Sequence, residues 1–85
     1  MASYKVLYWQ EVPSQIRAED YVDDVTLQMP ERFQERIDRL AAERGLGGSD
    51  DYLGQWRWSE EEDRDGSAQD VAEAVRAELE AKADF

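Results

Sequence analysis

The sequence predicts an α+β two-layer sandwich, and three observations carry that prediction. The run Ser3–Val12 is rich in β-branched and aromatic residues and holds neither Gly nor Pro, which is strand composition. Met29, Phe33, Ile37, Leu40 and Ala41 form an apolar stripe at helical spacing. Val71, Ala74, Val75 and Leu79 form a second stripe after Ser67-Ala68-Gln69-Asp70, which resembles a capping box. The predicted order is β-β-α-β-α. A three-stranded, mostly antiparallel sheet in the order 2-1-3 carries both helices on one face. At 85 residues the chain is read as a single domain, 1–85.

Each element has its own signals. Both alternating sets of the first strand are apolar, Tyr4/Val6/Tyr8 on one side and Leu7/Trp9 on the other. Pro13-Ser14 predicts a two-residue turn into a second strand, Gln15–Glu19. That turn sets Ile16 against Glu11 and Ala18 against Trp9, so Ile16 and Ala18 share a face with Leu7 and Trp9. Glu19–Gln28 reads as an acidic loop with a short extended piece that folds back onto the domain. Pro30 opens the first helix at a position where its missing N–H goes unmissed. Gly45 ends the helix, and Gly47-Gly48-Ser49 continues the break. Tyr52–Ser59 reads as the third strand, Glu60–Asp65 as an acidic loop, and the second helix runs from Ser67 to about Ala83.

Composition excludes several function classes. There are 10 basic and 21 acidic residues, a formal charge of −11, with neither His nor Cys. A disulfide framework, a Cys/His zinc site, a Ser-His triad and a thiol nucleophile are therefore out of reach. The charge repels phosphates and anionic lipid heads, so neither nucleic acid nor membrane is expected as a partner. The chain lacks both an apolar run of the ~18 residues needed to cross a membrane and a signal-like N-terminus, so a cytoplasmic location is expected. Glu61-x-Asp63-x-Asp65-Gly66 has the opening of a calcium loop. Its twelfth position is Ala72, however, where a bidentate Glu is required. No cofactor is expected, and a domain this small has little room for a catalytic cleft, so the chain reads as a non-enzyme.

Tyr8-Trp9 followed by Pro13-Ser14-Gln15-Ile16-Arg17-Ala18, Arg32-Phe33-Gln34 with Ile37-Asp38, and Tyr52-Leu53 with Trp56 and Trp58 resemble the small bacterial "virulence factor" domain family. The family occurs as a stand-alone protein and as a segment of the larger conserved virulence factor C proteins. The resemblance spans most of residues 4–58. It implies no catalytic residue or cofactor and is compatible with an accessory role. Met29 departs from the small polar residue expected before Pro30, which weakens the helix cap.

Burying both helical stripes against Leu7, Trp9, Ile16, Ala18, Trp56 and Trp58 leaves Tyr4, Val6, Tyr8 and Val12 on the far face. Two coverings are open: the Asp20–Gln28 loop laid across that face, or a partner. The expected partner-binding residues are Tyr4, Val6 and Tyr8 with an acidic rim of Asp20, Asp23 and Asp24. The expected partner is a protein with a basic surface, or a second copy in a homodimer. Other classes consistent with the residues are an acidic nucleic-acid mimic that inhibits a basic DNA- or RNA-binding protein, and a non-catalytic subunit of a larger enzyme.

Overall fold

The computed structural model describes residues 1–46 and 50–85. In chain order the elements are β1 (Ala2–Trp9), β2 (Val12–Glu19), β3 (Asp24–Gln28), α1 (Glu31–Glu43), α2 (Asp50–Leu53), β4 (Trp56–Trp58), β5 (Glu62–Arg64) and α3 (Ala68–Lys82). The strands form one antiparallel sheet in the order β3-β2-β1-β4, with β5 paired to the start of β1 along the edge that β4 shares. The α+β class is as predicted, and so is the placing of β1 between β2 and β4. The sheet is larger than the three strands expected. The acidic loop closes as edge strand β3, and part of Glu60–Asp65 becomes β5.

The hairpin differs from expectation in a way that reorganises both faces. Its tip is Gln10–Glu11, not Pro13–Ser14, because Trp9 pairs with Val12 and Tyr8 with Pro13. Gln10 takes φ +52°, a left-handed corner that costs a non-glycine residue about 1 kcal/mol. Neighbouring segments hold it there. Gln10 N donates to Gln55 O at 3.2 Å, Gln10 Nε2 to Gln55 Oε1 at 3.1 Å, and Arg57 Nη2 to Gln10 O at 3.3 Å. Arg44 donates to the Gln10 side chain and pairs with Glu11 at 2.9 Å.

Pro13 is tolerated inside β2 because the ladder is interrupted there. Leu7 opposes Gln15 while Tyr8 opposes Pro13, so Ser14 has no partner on β1 and forms a bulge. Its carbonyl accepts instead from Met29 N at 2.9 Å. Pro13 also lies beyond the last β2–β3 pair, Gln15–Gln28, so its absent N–H leaves no gap on that side.

The extra residue decides which side of β1 is the core. Ile16 stands opposite Val6 and Ala18 opposite Tyr4, in place of the expected Glu11 and Trp9. Moving the tip alone would have set Ile16 against Lys5. The bulge makes the displacement odd, and an odd displacement exchanges the faces. Val6 (4% exposed), Ile16 (0%) and Ala18 therefore pack beneath Phe33, Ile37 and Leu40 of α1 and Val71, Ala72 and Val75 of α3.

Leu7 and Trp9 consequently point away from α1 and α3, as do their β4 partners Trp58 and Trp56. This corrects the expectation that both β4 tryptophans lie under the helices. Trp9 is still fully buried, because the segment expected to start the third strand folds as α2 and covers it. Trp9 Nε1 donates to Tyr52 O at 3.0 Å, the Trp9 and Tyr52 ring centroids lie 5.5 Å apart, and Tyr52 meets Trp56 edge-on at 6.2 Å. Asp50 and Asp51 sit in the first turn of α2, where carboxylates suit the helix dipole.

The long helices follow their sequence signals closely. Pro30 is the N-cap of α1 and offers no side-chain cap, in keeping with the residue pair Met29-Pro30. Gly45, at φ +69°, closes the other end: Gly45 N donates to Ala42 O and Leu46 N to Ala41 O, the paired bonds of a left-handed helix stop. The predicted continuation through Gly47-Gly48-Ser49 lies outside the described residues. At α3, Ser67 Oγ accepts from Asp70 N at 3.1 Å, as the capping signature predicts. Ser59 bridges the gap between β4 and β5, since its N donates to Val6 O and its Oγ accepts from Val6 N, both at 2.8 Å.

The face assignment has a direct thermodynamic consequence. Ile16→Ala removes a side chain sealed under both helices and is expected to lower stability by about 3 kcal/mol. Leu7→Ala, on the opposite face and half-exposed, is expected to cost less than half of that; urea denaturation of the two variants measures the order.

Candidate interaction surfaces

The predicted partner-binding face lies on the side of the sheet that α1 and α3 cover. Val6 is sealed, and Tyr4 and Tyr8 are partly buried against the same core, with Val75 and Leu79 of α3 across from them. The physical reason is the odd register: with Ile16 and Ala18 opposite Val6 and Tyr4, this is the only face the two long helices can cover. The tyrosines are also engaged. Tyr4 OH donates to Glu62 Oε2 at 2.8 Å, and burial followed by that carboxylate raises its pKa. The Arg57 guanidinium sits 5.2 Å from the centroid of the Tyr8 ring.

The three aspartates do not rim that face together. Asp20 is a clasp: its Oδ1 accepts from Asp23 N and Val22 N, each at 2.7 Å, and its Oδ2 accepts from Ala68 N at 2.8 Å. The β2–β3 turn is thereby tied to the first turn of α3, whose unpaired amides favour a carboxylate. These backbone donors, that of Asp23 foremost, hold the Asp20 carboxyl below the ordinary range. Asp24 pairs with Arg17 at 2.9 Å, and Asp23 is exposed. The covering loop considered from sequence does not lie across Tyr4 and Tyr8 either. Val25 and Leu27 pack on the core as part of β3, while Tyr21 and Val22 stand in solvent at the turn.

Part of the acidic stretch before α3 makes local contacts. Ser3 Oγ donates to Asp63 Oδ1 at 3.0 Å, Glu62 receives Tyr4, and Arg64 pairs with Glu78, whose pKa it lowers. Among the described residues, no group of three or more carboxylates is placed to hold a metal ion.

Further exposed apolar surface lies on the other side of the sheet. Trp58 is 40% exposed, directly opposite Leu7. Lys5 Nζ lies 4.7 Å from its ring centroid. Leu53 of α2, on the same side of the sheet as Tyr52, is 65% exposed. Outward acids such as Glu19, Glu61 and Asp63 belong to the strands and turns around this surface. Sequence reasoning missed Trp58 as an exposed residue because it placed both β4 tryptophans in the core.

A family model described as "Virulence factor" matches residues 7–84. No curated protein and no solved structure matches the chain.

The Asp20 clasp makes stability depend on pH with a definite sign. A carboxyl whose pKa is lower folded than unfolded stabilises fully above its unfolded value, near ~4, and loses that contribution as pH falls toward the folded value. Asp20→Asn is therefore expected to melt below the parent at pH 7. The gap should close as pH drops below about 4, as read by thermal unfolding across that range.

Proposed function

The chain belongs to the virulence factor family, and on that premise we propose that it is a small non-catalytic module that works by binding another protein. The observation that carries this reading is Trp58. A 40%-exposed tryptophan beside Leu7, on a sheet face that α1 and α3 leave uncovered, is the side-chain type that anchors protein interfaces. Tryptophan brings a large rigid apolar area at little loss of side-chain freedom, and the Lys5 ammonium over its ring holds its orientation. The partner is a protein with a basic surface around an apolar spot. The chain's −11 charge steers such a surface in, and burial of Trp58 and Leu7 retains it.

Affinity capture with the intact chain at low and high salt, beside a Trp58→Ser variant of unchanged circular dichroism, tests the proposal. The expected result is a retained protein whose capture weakens with salt and falls by at least about tenfold in the variant, the loss typical of an anchoring aromatic. If the retained partner is a second copy, sedimentation equilibrium shows a dimer that Trp58→Ser dissociates. Equal capture and equal sedimentation by the two chains overturn the reading.

A further inference from the structure

We infer that the groove between α1, the end of α3 and the β-hairpin is a second binding surface, one that takes an aromatic side chain flanked by carboxylates from a partner peptide. It lies on the opposite side of the sheet from Trp58 and does not rest on the role assigned to that residue. The groove has a volume of about 490 Å³, with Tyr8, Val12, Phe33, Leu40 and Leu79 in its walls. Leu79 is half-buried at its edge. Tyr8, Leu79 and Lys82 also border a separate hollow of about 390 Å³ against β4 and β5, which Glu60, Glu62 and Glu78 line as well.

The chain itself shows what the groove accepts. After α3 the backbone becomes extended at Ala83 (φ −69°, ψ 139°) and delivers Phe85 to the groove. The Phe85 ring meets Phe33 edge-on at 4.9 Å, and the Arg36 guanidinium lies 5.2 Å from its centroid. Phe85 nevertheless stays 38% exposed, so it fills the site only in part. The residue before it is Asp84, which makes this occupant an acidic–aromatic pair.

Charge supports the same occupant. Arg17, Arg32, Arg44, Arg64 and Arg76 each have an acidic partner. Among the described residues Lys5, Arg36, Arg39, Arg57 and Lys82 have no ion pair, and of these Arg36 and Lys82 border the groove. Two cations, Arg36 and Lys82, thus stand at the main groove of a chain of net charge −11. Of the acids in the main groove, Glu11 is already held by Arg44, and Asp84 leaves with the tail. Screening over ~8 Å at physiological salt lets the local cations outweigh the distant acids for a ligand in contact. Cations beside aromatic rings match a ligand that has a ring and a carboxylate together.

Titration of the isotope-labelled full chain with the peptide N-acetyl-Ala-Asp-Phe, followed by amide chemical shifts, tests the inference. In Phe85→Ala, saturable shifts are expected at Phe33, Arg36, Leu79 and Lys82. The unaltered chain should bind at least about threefold more weakly, because its own tail competes, and the Phe85 amide should shift as the tail is displaced. Adding Arg36→Gln to Phe85→Ala should weaken binding again, whereas Trp58→Ser should leave it unchanged, which separates this surface from the first. Shifts that never saturate, that map elsewhere, or that are equal with and without Phe85 overturn the inference.

Discussion

One backbone irregularity governs the architecture: the bulge at Ser14. A β-strand has two faces, and β1 is apolar on both, so nothing within β1 itself selects the side that the helices cover. The selection is made by pairing. β2 alternates clearly, with Ile16 and Ala18 apolar and Gln15, Arg17 and Glu19 polar, and whichever β1 residues stand opposite Ile16 and Ala18 become interior. The single unpaired residue at Ser14 shifts that match by one place and turns Tyr4, Val6 and Tyr8 inward. The bulge in turn stays in place because the Ser14 carbonyl is bound by Met29 N, just before α1.

With that choice made, the remaining elements complete the second side. Trp9 has no shelter from α1 or α3, so the chain between α1 and β4 must supply it, and Tyr52 does so from α2. The same connection steadies the left-handed corner at Gln10 through Gln55, and Arg44 reaches the tip from the end of α1. The hairpin tip is thus held by residues distant in sequence, which is why a non-glycine can occupy the corner. The Asp20 clasp plays a similar part at the other end of the sheet, where it joins the β2–β3 turn to the start of α3.

The distribution of charge follows from the fold as much as from composition. Acids outnumber bases two to one, yet most arginines are taken up by ion pairs on the outer surfaces. Of the cations without such partners, Arg36 and Lys82 border the groove between α1 and the end of α3, Arg36 beside the Phe85 ring. The tryptophan that helix packing leaves over faces the opposite way.

The helices were legible from sequence, because helical periodicity, the Ser67–Asp70 cap and the Gly45 stop are local signals that act within a few residues. The strand composition of β1 and the placing of its neighbours were legible for the same reason. The candidate surfaces were not, because they depend on parity between strands. Pro13-Ser14 has turn chemistry, but turn chemistry cannot tell a corner from a bulge. Matching Ser3 and Lys5 to the polar side of β2 was the one available clue to the true register. Local sequence determined which elements form and where they stop. The tertiary structure alone decided which face is buried and which tryptophan is exposed, since a one-residue change in pairing exchanges the faces while leaving every local preference satisfied.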